Sequence, residues 1–261
     1  MKTTVSTLDD FKKHWAGPLN FLMEGECVPF EFDLPPLEEV VDLLRRDSDT
    51  NIGSGRKGDK ILLDSIAADF RAMPLDKAVA SSFSIAHYSL GRFDVPGKFL
   101  HGFERRVLNP WRNALKAQGF SFDRCYPIIF ISGRNCATNY HMDFSHVMAW
   151  QIYGTKQFCG LTNPNGRTTI DERVKYKAGA TGKPADLRDD EVLCYEMNPG
   201  AVLWNVLLTP HWVDASDSVA MSINLSHGGV RLNCKLSPNE EELEVYRKSQ
   251  GLTAPAVAGK Y

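Results

Sequence analysis

The sequence predicts a mainly β fold, an antiparallel sandwich or barrel preceded by helices. Two features lead to this prediction. From residue 126 onward, short runs rich in β-branched and aromatic residues follow one another, with glycine, proline and asparagine between them. No helical pattern separates these runs, as it would in a parallel sheet with crossover helices. Before residue 120, in contrast, apolar residues recur with helical spacing.

The composition is typical of a globular protein that can bury a sizeable core. Of the 261 residues, 43% are hydrophobic, and 30 lysines and arginines nearly balance 32 aspartates and glutamates. A chain of this length is expected to form one large domain with helical extensions. We therefore expect one structural unit with a helical region over 1–120, a β core over 121–235 and a C-terminal helix and tail over 236–261.

Four helices are predicted in the N-terminal region. A Ser/Thr start precedes the helix at 7–15, and Asp33 with two prolines precedes an amphipathic helix that begins near Leu37. A mobile glycine-rich loop at 50–59 leads into a third helix at 59–73.

The fourth helix is predicted at 98–118, where large apolar side chains recur on one stripe. This stripe contains Phe99, Phe103, Val107 and Trp111. Pro110 must kink or divide the helix, because proline removes a backbone donor. We expect the stripe to pack on the sheet and the basic residues around it to be solvated.

The β core is predicted from six runs, at 127–132, 147–153, 156–161, 192–196, 201–206 and 219–226. A long polar segment at 162–190 interrupts them. We expect this segment to lie at the mouth of the barrel, close over the site and set specificity. A tolerated surface loop is the alternative.

Two histidines and one aspartate form a candidate metal site. His141 and Asp143 are two residues apart, so on a strand they point to the same face. The Pro199-Gly200 turn begins an apolar strand that is expected to end at His211 and return this side chain to the barrel mouth. Two imidazoles and one carboxylate are the ligand set of non-haem Fe(II) oxygenases, with positions left for a bidentate co-substrate and O₂. The same ligand types also suit zinc, but their order on a β-sandwich favours iron.

Further spacings agree with one known family. Thr138 precedes the HxD pair, Lys156 follows Asp143 by thirteen residues, and His211 follows Gly200 by eleven. Over 127–228 the sequence resembles the Jumonji-C and cupin-like Fe(II)/2-oxoglutarate-dependent oxygenases, in particular the group around the asparaginyl hydroxylase of hypoxia-inducible factor. The resemblance implies a double-stranded β-helix, or jelly roll, with the N-terminal helices packed around it.

The resemblance also implies a co-substrate site. It assigns Thr138, Lys156 and Asn224 to 2-oxoglutarate and the triad of His141, Asp143 and His211 to Fe(II) and catalysis. The chemistry of Lys156 agrees, because a lysine inside an apolar strand is costly to bury unless an anion such as the distal carboxylate accompanies it. The alternative is that Lys156 faces outward.

The sequence departs from the family pattern near the distal histidine. Relatives usually have an acidic residue after the glycine and a tryptophan-rich stretch before the histidine, whereas Ala201 follows Gly200 and residues 207–210 read Leu-Leu-Thr-Pro. The peptide specificity of the family is therefore not carried over.

The expected activity is hydroxylation of an unactivated C–H bond in an amino-acid, peptide or related biosynthetic substrate, with release of succinate and CO₂. N-demethylation at the same iron site and a non-catalytic cupin-like binding protein are the alternatives. A net charge of −2 lacks the basic footprint of nucleic-acid binding, so a small-molecule, amino-acid or peptide partner is expected. The oligomeric state is left open.

The cysteines and the N-terminus suggest a cytoplasmic location. The six cysteines stand singly, without a CxxC pair, and are expected to be reduced thiols in a reducing compartment. The N-terminus has no apolar stretch of signal-peptide length, and no run of about 18 uncharged apolar residues occurs, so neither secretion nor a membrane span is expected.

Overall fold

The computed structural model describes residues 2–55, 63–176 and 183–253. Its strands are β1 (Thr4–Val5), β2 (Phe21–Met23), β3 (Asn51–Gly53), β4 (Ser84–His87), β5 (Phe120–Ser121), β6 (Arg124–Ser132), β7 (Ala137–His141), β8 (His146–Tyr153), β9 (Lys156–Leu161), β10 (Val192–Met197), β11 (Val202–Asn205), β12 (His211–Ala215), β13 (Ala220–Gly228), β14 (Arg231–Leu232) and β15 (Lys235–Leu236). Its α-helices are α1 (Leu8–His14), α2 (Leu37–Arg45), α3 (Leu63–Ala72), α4 (Leu75–Ala80), α5 (Asn109–Ala117), α6 (Pro164–Arg167), α7 (Ile170–Val174) and α8 (Pro238–Ser249).

Two sheets with an elongated cavity between them form the core of the described structure. The larger sheet has eight strands in the order β1-β2-β11-β8-β13-β6-β4-β3, and the smaller has four in the order β10-β9-β12-β7. Apart from the short parallel pair β1–β2, neighbouring strands run antiparallel. The mainly β, antiparallel prediction is therefore confirmed, and all six predicted runs lie in strands.

Side chains alternate between the two faces of the larger sheet, as strand geometry requires. On β13, the apolar side chains at odd positions from Met221 to Leu225 are buried in the main core beneath the helices. The polar side chains at even positions from Ser222 to Ser226 line the cavity between the sheets. One strand therefore stabilises the fold with one face and presents polar groups to the cavity with the other.

The first two predicted helices are present, with one difference in capping. The side chain of Thr7 accepts a hydrogen bond from the backbone N–H of Asp10 and caps α1. Helix α2 begins after Pro36 without a side-chain cap, so Asp33 is not the capping residue. The Asp33 carboxylate instead lies 3.8 Å from the Arg106 guanidinium.

The N-terminal region also supplies strands that were not predicted. Strands β2, β4 and β3 extend the larger sheet at both of its sides, so residues 1–120 are not only helical. These strands are three or four residues long, which is too short for a recognisable alternation. The prediction of a loop over 50–59 is wrong at β3, and residues 56–62, including the start of the third predicted helix, lie outside the described residues.

The segment predicted as the fourth helix is divided near Pro110. A π-helical turn over Glu104–Leu108 leads into α5, whose first turn contains Pro110. The wider turn lets the chain stay helical through a residue that has no backbone N–H. Phe103, Val107 and Trp111 are fully buried, as the predicted stripe requires. The helix begins only at Phe103, however, and Phe99 lies in the turn before it and is partly buried.

The segment at 162–190 is partly helical. It contains α6 and α7, and α7 is closed by a capping box between Thr169 and Glu172. Val174 packs with Leu207 and Leu208, and the buried Arg173 donates from Nη1 to the carbonyl of Leu208 at 3.0 Å. Helix α7 is thus attached to the turn that precedes His211.

Helix α8 is joined to the β core through buried polar groups. The Glu240 carboxylate accepts hydrogen bonds from the backbone N–H groups of Gly229 and Val230. Ser237, which caps α8, lies 3.3 Å from His146 Nε2. Within the described residues, no helix is both long and apolar enough to cross a bilayer.

Two buried histidines are expected to make the fold sensitive to acid. Burial lowers the pKa of His146 to about 3 and that of His227 to about 4, and Trp111 Nε1 donates to His227 Nε2 at 2.7 Å. The unfolded chain takes up these protons below about pH 6.5, whereas the folded chain does not, so stability should fall as the pH decreases from 6.5 to 4. Each histidine should contribute about 1.4 kcal/mol per pH unit to this loss.

Denaturant unfolding of the metal-free protein between pH 7.5 and pH 5 measures this slope. In the variant His227→Gln this slope should be smaller by about 1.4 kcal/mol per pH unit, which is the contribution of one histidine. The same slope in the variant and in the unchanged protein would show that His227 does not cause the acid sensitivity.

Cys159 and Cys194 form a disulfide, which corrects the expectation of six reduced thiols. They lie opposite each other on β9 and β10, although they are 35 residues apart in sequence. Strand pairing brings them together, and spacing along the chain does not reveal such pairing. Four other cysteines are not in disulfides, namely Cys27, Cys125, Cys136 and Cys234.

Removal of this disulfide by Cys159→Ala with Cys194→Ala is expected to cost about 2–4 kcal/mol of unfolding free energy, because the link closes a loop of intermediate length. The measurement is denaturant unfolding, with Cys125→Ala as a control that removes a buried thiol but no cross-link. A thiol reagent should find two further thiols in the unfolded protein after reduction. Equal thiol counts before and after reduction would contradict the pairing.

Candidate metal and co-substrate site

The three predicted metal ligands converge at one end of the smaller sheet. His141 ends β7 and His211 begins β12, and these two residues are paired across the neighbouring antiparallel strands. Asp143 follows β7 by two residues. Ligand atoms of the three side chains all lie within 4.8 Å of one another, so a single ion can contact all three.

Both imidazole rings are oriented so that Nε2 is available to an ion. His141 Nδ1 lies 2.7 Å from the carbonyl of Asn139, and His211 Nδ1 lies 2.9 Å from the carbonyl of Thr209. A carbonyl only accepts hydrogen bonds, so each Nδ1 carries the proton and each Nε2 has a free lone pair. Backbone partners of this kind are typical of metal-binding histidines.

The distances between the ligands suit a divalent ion. His141 Nε2 lies 3.6 Å from Asp143 Oδ1, and His211 Nε2 lies 3.5 Å from Asp143 Oδ2. Ligand atoms that each lie about 2.0–2.2 Å from one ion are about 3 Å apart, so small side-chain movements would suffice. Burial, together with the neighbouring His141, lowers the pKa of His211 to about 4, which keeps the ring in the neutral form that binds metal.

The route of the chain to His211 differs from the prediction. The apolar strand after Gly200 ends at Asn205, and a turn follows in which Leu208 has a φ of 59°. The backbone N–H of Leu208 donates to the carbonyl of Asp143 at 2.8 Å. His211 therefore begins a second strand on the opposite sheet, where it can pair with His141.

Lys156 is buried at the far end of the same cavity. Its side chain is on β9, the residue is 5% exposed, and Nζ lies 3.4 Å from Ser222 Oγ and 3.5 Å from the carbonyl of Phe130. Burial lowers the pKa of this amine to about 7. No carboxylate of the described chain lies within ion-pair distance of it. The side chain therefore faces inward, as predicted, and not outward.

The cavity has a volume of about 220 Å³ and extends from Lys156 to the triad. Strands β8, β13 and β6 form its wall in three levels that follow their pairing. From the Lys156 end, these levels are Gln151, Ser222 and Phe130; Ala149, Asn224 and Ile128; and Val147, Ser226 and Tyr126. The wall is thus uncharged, so the charged groups are confined to Lys156 and the triad.

The other two predicted co-substrate residues also line this cavity. Thr138 is on β7, paired with Val213 of β12, and its side chain is exposed. Asn224 lies at the middle level, and its buried Oδ1 has no hydrogen-bond partner in the described chain. All six predicted site residues therefore reach one cavity, and their roles in binding stay predictions.

Several lining residues were missed by sequence reasoning. Tyr88 follows β4 in the N-terminal region, which contains no motif that could have identified it. Asn205 belongs to a predicted strand and Tyr126 directly precedes one, so the alternation of side chains could have placed both on the inward face. No described residue of 162–190 is among the lining residues, so the predicted role of this segment as a lid stays a prediction.

Comparisons with known proteins identify the fold. No family model and no curated protein matches the chain. The solved structure of E. coli YcfD superposes with a TM-score of 0.53 over 98% of this chain and 62% of that one, at 16% identity. A structure described as YcfD, a ribosomal oxygenase from Escherichia coli in complex with cobalt and 2-oxoglutarate, has a TM-score of 0.53 at 15% identity, over 100% of this chain and 62% of that one. The corresponding complex with cobalt and succinic acid has a TM-score of 0.52 at 15% identity, over 97% and 58%.

The chain thus spans about three fifths of the length of these structures. At this level of identity the likeness shows the fold, and it confirms the predicted jelly roll with surrounding helices. The narrower resemblance to the asparaginyl hydroxylase group is not tested by these structures and stays a prediction.

Proposed function

We propose that the protein is an Fe(II)- and 2-oxoglutarate-dependent oxygenase that hydroxylates an unactivated C–H bond. The observation that carries this proposal is the arrangement of one cavity with metal-ligand side chains at one end and a buried lysine at the other. At one end three ligand atoms lie close enough to share an ion, and at the other the Lys156 amine is buried among uncharged groups. 2-Oxoglutarate matches both ends, because its 2-oxo acid group chelates iron and its distal carboxylate can pair with an ammonium group.

The neighbouring structures support the same ligands. YcfD, described as a ribosomal oxygenase, is bound to cobalt with 2-oxoglutarate in one structure and to cobalt with succinic acid in another. Succinate is the product expected from 2-oxoglutarate. These complexes are complexes of YcfD. In this chain the triad would bind the metal, and Lys156 would bind the distal carboxylate of 2-oxoglutarate.

The residues of this chain would hold the reactants and exclude water. His141, Asp143 and His211 would bind Fe(II), and Lys156, with Ser222, Thr138 and Asn224 nearby, would hold the distal carboxylate. Bound Fe(II), 2-oxoglutarate and O₂ supply the oxidant, with release of succinate and CO₂. Phe158 and Val213, between the two ends, provide apolar walls that limit access of water to the reacting groups.

We propose an amino-acid, peptide or protein-borne substrate. Lys156 and the triad are the charged groups among the described lining residues, so the substrate end of the cavity offers hydroxyl, amide and aromatic groups rather than a basic surface. Phosphate recognition would need cations at that end. The description of YcfD as a ribosomal oxygenase is compatible with this substrate class.

N-demethylation and a binding function without catalysis are the alternatives to test. The iron site is the same for hydroxylation and N-demethylation, so only the products distinguish them. A cytoplasmic location stays a prediction; the remaining thiols agree with it, and the disulfide does not.

A substrate screen tests the proposed function. The protein is loaded without oxygen with Fe(II) and 2-oxoglutarate, mixed with pools of amino acids, peptides and proteins, and exposed to O₂. A product that gains one oxygen atom, with stoichiometric succinate, is expected. Formaldehyde release would instead indicate demethylation. Bound metal without any succinate, with or without substrate, would indicate a binding protein.

A further inference from the structure

Each of the three ligands is held by one additional group of the protein. For His141 and His211 this group is a backbone carbonyl. For Asp143 it is a side chain, because Asn205 Nδ2 donates to Asp143 Oδ2 at 2.9 Å. Among the described side chains, Asn205 is the one hydrogen-bonded to this carboxylate.

Asn205 reaches Asp143 from the opposite sheet. It is the last residue of β11 in the larger sheet, it is 1% exposed, and it lines the cavity. Asp143 lies beyond the end of β7, where about a third of its side chain is exposed and no strand pairing restrains it. The hydrogen bond therefore joins the end of a paired strand to the one ligand of the three that lies outside a strand.

The hydrogen bond also determines how the amide of Asn205 is oriented. A carboxylate only accepts hydrogen bonds, so the NH₂ group must face Asp143 and Oδ1 must face away from it. Oδ1 is buried and has no partner in the described part of the chain. A buried acceptor without a donor destabilises a fold, whereas an apolar side chain of the same size would not. The hydrogen bond to Asp143 is thus the interaction that offsets the cost of burying a polar side chain at this position.

We propose that Asn205 is a positioning residue that holds the Asp143 carboxylate in the orientation needed to bind the metal. This inference rests on the proposed function, since it assumes that the triad binds an ion. Asn205 does not belong to the predicted ligand set, and it acts on the metal through Asp143 only. Its loss should therefore weaken metal binding without removing a ligand.

Titration of the metal-free protein with Co(II), followed by visible absorption, tests this role. Asn205→Leu should weaken Co(II) binding by about 10–100-fold, as is usual when a group that orients a ligand is lost. The Co(II) spectrum should change, because the carboxylate no longer has a fixed orientation. The melting temperature of the metal-free variant should be equal or higher, because the buried unpaired Oδ1 is gone. A merely structural residue would show the opposite, a lower melting temperature with an unchanged spectrum.

Two further variants complete the experiment. Asn205→Ala repeats the test with a smaller side chain if leucine prevents folding. Val202→Ala is the matched control, because Val202 is buried on the same strand as Asn205 but packs in the main core and does not line the cavity. This control should keep the Co(II) affinity and spectrum of the unchanged protein.

The outcomes separate this inference from the proposed function. Unchanged Co(II) affinity and spectrum in both Asn205 variants would overturn the positioning role and leave the oxygenase proposal intact. Tight Co(II) binding that Asn205→Leu weakens, in a protein that never converts 2-oxoglutarate, would support the positioning role and overturn the oxygenase proposal. A protein that binds no Co(II) at all would overturn both.

Discussion

Asp143→Ala and His141→Ala are each expected to abolish 2-oxoglutarate turnover. Changes to groups that merely orient a ligand already cost about 10–100-fold in affinity or activity, so loss of a ligand should exceed about 100-fold. The fold should be retained, because both side chains are partly exposed and lie outside the apolar clusters. Succinate release and bound iron per chain, together with the melting temperature of the metal-free protein, measure the two effects.

The control for this experiment is Asp217→Ala, which removes an exposed carboxylate shortly after β12. It should leave iron content and turnover unchanged, since surface substitutions away from special features usually have small effects. Stoichiometric iron and full turnover in the double variant His141→Ala with Asp143→Ala would disprove the metal site.

Lys156→Ala is expected to weaken 2-oxoglutarate binding by about 1.5–3 kcal/mol, or roughly 10–150-fold, the usual contribution of a hydrogen bond to a charged group. Metal affinity without the co-substrate should barely change, because Lys156 lies at the other end of the cavity. Calorimetric titration with 2-oxoglutarate under anaerobic conditions measures the loss. An unchanged affinity would show that Lys156 does not bind the co-substrate.

The pH dependence of binding provides a second measure of the same interaction. Because burial lowers the pKa of Lys156 to about 7, the amine must regain a proton above this pH when it pairs with a carboxylate. Affinity should therefore decrease by about tenfold per pH unit above that pKa. Lys156→Met should remove this dependence, and Lys235→Ala, at an exposed lysine, should keep it. Lys156→Met should also raise the stability of the protein measured without 2-oxoglutarate, because it removes a buried amine that has no carboxylate partner.

Much of the β core could be predicted from the sequence. The run from Lys156 to Leu161 is found as a strand with the predicted bounds, and the other five runs differ by a few residues at their ends. The alternation of apolar and polar residues and the turn residues are local properties, so they can be recognised in each segment separately. The strands of the N-terminal region were missed because β2 and β3 are three residues long and belong to the sheet only through their partners.

The candidate site was predictable to the extent that its residues are themselves informative. The HxD pair and a lysine within an apolar strand are unusual in any sequence, and the structure places both at the cavity. His211 lies at the predicted place beside His141 and Asp143, but its strand was not predicted. The reason is that Leu208 in the preceding turn has a positive φ, a backbone conformation that leucine rarely adopts. Tyr88 lies in a segment without a motif, and alternation along β11 could have placed Asn205 on the inward face but could not have revealed its contact with Asp143.

The sequence by itself determined most strands of the β core, which face of each of them is apolar, and which residue types could bind a metal and an anion. Only the tertiary structure decided that His141 and His211 are cross-strand partners, that Asn205 reaches Asp143 from the opposite sheet, and that Cys159 meets Cys194. The physical reason is that alternation depends on backbone geometry within a few residues, whereas strand pairing depends on the burial and hydrogen bonding of the whole chain.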